Sequence, residues 1–206
     1  MQSRTACFEW PATHVIESMS SLIGKYLPRA AHLPVRVAGL LAALFLIIGN
    51  AASAGSVYDW PYAFQDESGA TVKLEKWRGH QTIVSMEYSS CQFICSIGLT
   101  RLRALQLLVE REKLDYDFLV ISLDPVHDTP AAWRDYRRMR NLTQGNWHFL
   151  SSTAGQMPVI ADQLGVRYWY YDAHIMHDFR VLRVDGNGAI IKVMNSFSAD
   201  LTAFVH

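Results

Sequence analysis

Two cysteines four residues apart have the clearest potential for chemistry in this chain. The segment Cys91-Gln-Phe-Ile-Cys95 places two thiols about one helical turn apart, with α-carbons roughly 6 Å from each other. That separation allows a disulfide bond, and it also allows both sulfurs to bind one metal ion. Thiolates select copper(I), zinc or iron–sulfur clusters, but two sulfurs cannot complete a zinc site or hold a four-ligand cluster. The pair therefore predicts copper binding or redox chemistry.

Histidine is the natural candidate for a further ligand, because imidazole often joins thiolates at copper. Three histidines, in a predicted turn, a predicted strand and at the chain terminus, are interpreted as structural: His80, His148 and His206. His127, in the loop after Asp124-Pro125, is a minor candidate. His174 and His177 form a His-x-x-His before a predicted hairpin and are the main candidates. The residue types alone do not choose between these two.

The pattern around the cysteines predicts a strand followed by a helix. Gln81–Tyr88 is rich in β-branched and apolar residues, which is typical of a central strand. After Cys95, leucines recur at helical spacing with charged residues between them. The pair thus lies at a strand-to-helix junction, where the unpaired amides and partial positive charge of a helix N-terminus favour the thiolate.

The remaining elements alternate in the same way. They are a strand over 116–123, a helix that begins near Asp128-Thr-Pro130 and runs to about 140, a helix over 151–164, a strand over 177–184, a hairpin turn at 185–188, a strand over 189–194 and a last helix capped within 198–200. A strand–helix–strand unit followed by a β-hairpin predicts an α/β, thioredoxin-like three-layer fold. Its central mixed sheet would carry helices on both faces.

Several polar or sulfur-containing residues near these elements need an interpretation. Asp128 is expected to be a helix cap and Asp124 a turn former, rather than residues that orient ligands or meet a partner. Glu87 is an unusual acid in a predicted buried strand, and it either faces the site or reaches solvent at the strand end. Met176 is expected to point away from the face that carries His177, because neighbouring strand residues alternate.

The composition is that of a globular protein. The chain has 206 residues, 50% of them hydrophobic, and its formal net charge is zero, which excludes a disordered protein. No basic excess is present, so no nucleic-acid partner is expected. Nothing in the sequence indicates an oligomer, and we expect a monomer.

The first 54 residues resemble an export leader. Basic residues at 25, 29 and 36 precede an apolar run over 37–48, which is shorter than the roughly 20 residues that span a bilayer. Ala52-Ser53-Ala54 fits a small-x-small cleavage pattern, so we expect cleavage after Ala54; Met19 is an alternative start. Residues 55–206 are then a single domain in the periplasm or otherwise outside the cytoplasm, held at a membrane only if the leader is retained.

Three segments together resemble the Sco/SenC family of copper proteins, which assist assembly of cytochrome c oxidase. The segments are Tyr88-Ser-Ser-Cys-Gln-Phe-Ile-Cys95, Ile121-Ser-Leu-Asp-Pro-Val-His-Asp-Thr-Pro130, and 177–188 with a histidine at the family's distance before the hairpin glycine. The resemblance covers roughly residues 60–200. The family usually has proline directly after each cysteine, whereas this chain has Gln92 and Ser96 there.

The resemblance implies a copper site made of Cys91, Cys95 and His177, and it selects His177 over His174. In the reduced state these residues would bind copper, and in the oxidised state the two cysteines would form a disulfide. The implied role is delivery of copper to an oxidase subunit, or reduction of that subunit's cysteines. Another periplasmic copper protein is an alternative partner. A metallochaperone is favoured over an enzyme, with thiol–disulfide reductase activity left open.

Two other functions are compatible with the cysteine pair. A thiol–disulfide oxidoreductase that does not use copper would have the same fold and the same cysteines, but it gives His177 no role. A redox or copper sensor would need the same three residues. Copper binding by the reduced protein separates the first of these functions from the copper-handling one.

Overall fold

The computed structural model describes residues 55–91, 95–172 and 174–206, with the backbone alone at residues 95 and 96. The leader, its cleavage after Ala54 and the alternative start at Met19 lie outside these residues and stay predictions. None of the helices in the described ranges is long and apolar enough to cross a bilayer.

Nine strands and four α-helices make up the described part of the chain. The strands are β1 Phe64–Asp66, β2 Thr71–Val72, β3 Gln81–Glu87, β4 Tyr116–Ser122, β5 Trp147–Ser151, β6 Tyr168–Tyr171, β7 His174–His177, β8 Val181–Val184 and β9 Ile190–Met194. The helices are α1 Cys95–Glu112, α2 Pro130–Met139, α3 Met157–Gln163 and α4 Leu201–Val205. Short 3-10 turns occupy Val57–Asp59 and Leu74–Trp77.

Seven strands form one mixed sheet in the order β2-β1-β5-β4-β3-β8-β9. β3, β4 and β5 are parallel neighbours, joined through α1 and α2, whereas β8 pairs antiparallel with the other side of β3. β6 and β7 form a separate two-stranded antiparallel sheet. The predicted mixed central sheet is confirmed.

Each face of the large sheet carries its own buried cluster. Val84 of β3 belongs to the same cluster as Ile160 of α3. The neighbouring Ile83 belongs to the other cluster, with Leu102 of α1 and Trp133 of α2. Alternation along one strand therefore supplies apolar side chains to helices on both faces, and the predicted thioredoxin-like three-layer fold is confirmed.

The helix predicted over 151–164 is wrong in its first half. Ser151 ends β5 and pairs with Gln65 of β1, and α3 begins only at Met157. Pairing with a strand from a distant part of the chain decided the structure of Ser151, which local sequence signals do not report.

The strand predicted over 177–184 is also wrong, because it is two strands in different sheets. β7 ends at His177 and β8 begins at Val181. Between them the backbone N–H of Asp178 donates to the carbonyl of Arg167, 3.0 Å away. Arg180 Nε donates to the carbonyl of Leu164 at 2.8 Å. These contacts hold residues 178–180 against the segment that precedes β6. These residues therefore do not continue β8 in the large sheet.

A buried glutamate, Glu87, packs against the first turns of α1. Glu87, at the end of β3, is only 3% exposed, and a Cβ built on Gly98 of α1 would lie 2.7 Å from its Oε1. Ser85 Oγ donates to Oε1 at 3.3 Å, and Oε2 has no hydrogen-bond partner within the described ranges. Burial raises the pKa of Glu87 to about 8, against the opposing effects of the Ser85 hydrogen bond and the Arg140 charge. Glu87 therefore does not reach solvent, and it is protonated at neutral pH.

Glu87→Gln should remove a pH dependence of stability. The carboxyl has a pKa of about 8 when folded and about 4.5 when exposed, so the unfolded chain releases its proton first as pH rises. The free energy of unfolding should fall between pH 5 and 8, at about 1.4 kcal/mol per pH unit where the effect is steepest. Urea unfolding of both proteins at pH 5.5 and 8.5 should show the variant gaining relative to wild type at the higher pH. A pH-independent difference would contradict a neutral buried carboxyl.

A matched pair of leucines on α1 tests the packing of this helix. Leu105 is fully buried, whereas Leu107 is 66% exposed. Leu105→Ala should lower the free energy of unfolding by about 2–5 kcal/mol, because it removes buried methyl groups and leaves a cavity. Leu107→Ala should change it by less than about 0.5 kcal/mol. Equal effects in urea unfolding would show that α1 does not pack by this face.

Candidate metal and redox site

The cysteine segment connects the end of β3 to the start of α1, as the sequence predicts. Cys91 is 4% exposed, and its backbone N–H donates to the carbonyl of Tyr88 at 3.3 Å. Cys91 is disulfide-bonded. Cys95 is the first residue of α1, and its side chain lies outside the described part of the structure.

His177 is a buried histidine at the end of β7, 7% exposed. Its Nδ1 lies 3.0 Å from the carbonyl oxygen of Asp178. Because a carbonyl only accepts, Nδ1 carries the proton and the lone pair is on Nε2. Burial lowers the pKa of His177, although the hydrogen bond and the charge of Asp178 oppose this. The imidazole is therefore neutral at physiological pH, the form that binds metals.

Tyr88 links β7 to the cysteine segment. The ring centroids of Tyr88 and His177 are 6.4 Å apart, and the rings are nearly perpendicular at 74°. Burial raises the pKa of the Tyr88 hydroxyl, and a hydrogen bond with the backbone of Ile175 opposes this rise. Tyr88, Cys91 and Ile175 belong to one buried cluster. β7 thus lies on the side of the sheet where Cys91 is buried.

Within the described ranges, no three side chains of His, Cys, Asp or Glu lie close enough together to hold a metal ion. The side chain of Cys95 lies outside these ranges. The predicted set of Cys91, Cys95 and His177 therefore stays a prediction.

Alternation along β7 separates its two histidines. Ile175 and His177 are buried, whereas His174 is exposed and Met176 is partly exposed. Residues two apart share a face of a strand, so Met176 lies on the face opposite His177, as expected.

The remaining histidines within the described ranges lie near carboxylates. His127 is exposed, with Nδ1 2.9 Å from a carboxylate oxygen of Asp124. His148 Nε2 lies 2.9 Å and His80 Nδ1 lies 3.4 Å from the two oxygens of Asp117. His206 Nε2 lies 2.7 Å from Glu112. These contacts give each of the four a structural partner.

The interpretation of Asp128 as a helix cap is wrong. α2 is capped by Thr129, whose Oγ1 accepts from the backbone N–H of Ala132 at 3.2 Å. Asp128 is 1% exposed; its Oδ1 accepts from the N–H of Ser89 at 2.9 Å and its Oδ2 from Ser122 Oγ at 2.6 Å. In Asp-Thr-Pro either of the first two residues can be the cap, and donors from two other segments decide that Asp128 is not.

Arg140 is a second contact of the cysteine segment that the sequence did not indicate. It is the C-terminal cap of α2, and its Nη2 donates to the carbonyl of Cys91 at 3.2 Å. An arginine at a helix C-terminus is common on electrostatic grounds alone, so no local signal identified its partner.

Known proteins similar to this chain share its fold and its sequence pattern. The family model SCO1/SenC matches residues 50–203. A SCO1 protein homolog of Bacillus subtilis (strain 168) is 28% identical over 91 residues, which are 44% of this chain and 47% of that protein. A SCO2-like protein of Rickettsia prowazekii (strain Madrid E) is 25% identical over 154 residues, 69% of this chain and 70% of that protein.

Solved structures agree with the fold. Arabidopsis thaliana ScoI with copper bound has a TM-score of 0.62 at 19% identity, over 71% of this chain and 92% of that chain. BsSco, described as a member of the Sco family of cytochrome c oxidase assembly proteins with a disulfide switch, has a TM-score of 0.64 at 21% identity, over 73% of this chain and 90% of that chain. With the family model matched over most of its length, this chain belongs to the SCO1/SenC family.

Proposed function

We propose that this protein is exported, binds copper, and acts in the assembly of cytochrome c oxidase. Membership of the SCO1/SenC family supports this role, as does the copper bound to the Arabidopsis relative. The partner is an oxidase subunit that receives copper, or another copper protein of the same compartment. Copper is the cargo of the protein and not a permanent part of its fold.

The proposed ligands are the thiolates of Cys91 and Cys95 and the imidazole of His177. Two soft sulfurs and one nitrogen suit copper(I). The observation that carries the proposal is the state of His177: it is buried and neutral, with its Nδ1 proton donated to the carbonyl of Asp178. A hydrogen bond of this kind fixes the ring orientation of metal-binding histidines and leaves Nε2 as the ligand atom.

Copper binding and the redox state of the cysteines are linked in this proposal. Thiols must lose their protons to bind the metal, and oxidation of Cys91 and Cys95 to a disulfide removes both sulfur ligands. That oxidation releases two electrons and two protons, which a disulfide of the partner accepts to become two thiols. One thiolate attacks the partner disulfide, and the other then displaces the partner's thiol from the mixed disulfide. The same pair can thus carry copper or reduce the partner's cysteines.

His177→Ala should weaken copper(I) binding while leaving the fold intact. Loss of a residue that hydrogen-bonds to a metal ligand lowers metal affinity by about 10–100-fold. Loss of the ligand itself should therefore lower copper(I) affinity by about 100-fold. Competition with a chromogenic chelator measures the affinity of the reduced protein. His174→Ala, on the exposed face of the same strand, is the control and should bind like wild type.

Two results would contradict the copper site. Either the reduced wild-type protein binds copper(I) no better than the chelator, or His177→Ala binds as tightly as His174→Ala. A copper-independent thiol–disulfide oxidoreductase would then be the better account, because it needs the cysteine pair and no histidine.

Export is tested by the N-terminus of the protein recovered from a bacterial host. The small-x-small sequence Ala52-Ser53-Ala54 should direct cleavage before Gly55. Mass spectrometry of the periplasmic fraction should therefore find a protein that begins at Gly55. Intact chain retained in the cytoplasm would contradict export, and intact chain in the membrane fraction would contradict cleavage.

A further inference from the structure

Two residues that flank α2 form hydrogen bonds with the backbone of the cysteine segment, one at Ser89 and one at Cys91. Asp128, two residues before Pro130, accepts the backbone N–H of Ser89 at 2.9 Å. Arg140, which follows the last residue of α2, donates to the carbonyl of Cys91 at 3.2 Å. One contact is to an N–H and the other to a carbonyl, so together they restrain the backbone on both sides of residue 90.

The Asp128 carboxylate is itself firmly held. Its second oxygen accepts from Ser122 Oγ at the end of β4, 2.6 Å away. The backbone carbonyl of Asp128 accepts from Ser151 Oγ of β5 at 2.6 Å. The indole N–H of Trp133 in turn donates to Ser151 Oγ at 2.8 Å. Two strands and one helix therefore position the acceptor that Ser89 meets.

The guanidinium of Arg140 is held in a similar way. It lies over the ring of Tyr136, with Cζ 4.8 Å from the ring centroid. The backbone carbonyl of Arg140 accepts a hydrogen bond from Arg103 of α1. The arginine is thus restrained at both ends, and its donor reaches Cys91 from a fixed direction.

The sequence of the segment makes external restraints necessary. Proline fixes the backbone angle φ, but glutamine follows Cys91 and serine follows Cys95. The segment therefore has no proline to limit its conformations, and the restraints described at Ser89 and Cys91 come from other parts of the chain.

We propose that Asp128 and Arg140 are positioning residues that hold Cys91 where it can act together with Cys95. They act through the backbone of Ser89 and Cys91. The inference rests on the proposed function, in which the two sulfurs work as a pair. Holding one thiol in place raises its effective concentration toward the other, which favours both the disulfide and a shared copper(I) ion.

Arg140→Gln removes one restraint, and Asp128→Asn weakens the other. The asparagine amide keeps one oxygen and replaces the other with a donor, so it cannot accept from both Ser89 and Ser122, and its remaining oxygen is a weaker acceptor than the carboxylate. We expect each variant to lower copper(I) affinity by about tenfold, the effect typical of one hydrogen bond to a charged group. The equilibrium constant for forming the protein disulfide from glutathione disulfide, with release of two glutathione thiols, should fall by a similar factor.

The controls are Asp135→Asn and Arg138→Gln. Both residues lie on α2, between Asp128 and Arg140, and are exposed, and Arg138 Nη2 lies 2.9 Å from Asp135 Oδ1. The controls make the same changes of charge, and both constants should equal those of the wild-type protein.

The two variants also separate positioning from electrostatics. Arg140→Gln removes a positive charge and Asp128→Asn a negative one, so a direct effect of charge on the thiolates would shift copper affinity in opposite directions. A decrease in both supports the proposal. Opposite shifts, or constants equal to those of the controls, overturn it.

The proposal stays testable if a variant does not fold or if the wild-type protein does not bind copper(I). If Asp128→Asn does not fold, Arg140→Gln and the charge-conserving Arg140→Lys decide together, because Arg140 is only partly buried at a helix end. A decrease of both constants in both variants supports positioning, whereas a decrease in Arg140→Gln alone indicates a direct effect of charge and overturns the proposal. If the wild-type protein fails to bind copper(I), the proposed function fails, and the glutathione equilibrium of Arg140→Gln against Arg138→Gln still tests the positioning of Cys91.

Discussion

The parallel pairing of β3 with β4 is the constraint on which the candidate site depends. All seven residues of β3 are in register with the seven residues of β4, from Gln81 opposite Tyr116 to Glu87 opposite Ser122. The N–H of Leu123 continues the pairing by donating to the carbonyl of Glu87 at 2.8 Å. Because parallel strands end at the same edge, the segments that follow them must meet there. One of these carries Cys91 and the other carries Asp128.

His177 reaches the same region by a different route. β6 and β7 pair with each other, and Tyr168 lies opposite His177. Arg167 and Asp178 close this small sheet, since the N–H of Arg167 donates to the Asp178 carboxylate at 3.0 Å. Tyr88 then joins the small sheet to the cysteine segment through its ring and its hydroxyl. The position of the histidine therefore depends on the small sheet, on the burial of Ile175 and on the contact with Tyr88, and not on a strand ladder with the large sheet within the described ranges.

The sequence predicts well those features that depend on local periodicity or on a single cap. β3, α1 and β4 follow from runs of apolar residues with clear spacing, and the last helix has the predicted cap, since Asp200 accepts the N–H of Thr202 at 2.8 Å. The features that were missed depend on distant partners or on a turn without the usual residues. Asp128 does not cap α2 because its carboxylate accepts the backbone N–H of Ser89, which is 39 residues away in the sequence. β6 and β7 were missed although Tyr168–Tyr171 is a run of aromatic residues with high strand propensity, because their turn at Asp172, with φ of 50°, contains no glycine.

The separation of the strands into two sheets has a consequence for how His177 is held beside the cysteine segment. Within the described ranges, no strand of the β6–β7 sheet pairs with the seven-stranded sheet. β7 is therefore held beside Cys91 by its packing against Tyr88 and by the burial of Ile175, and within the described ranges no strand ladder joins it to the large sheet. If His177 is the third ligand, as proposed, the nitrogen ligand and the two sulfurs are held by separately hydrogen-bonded parts of the chain.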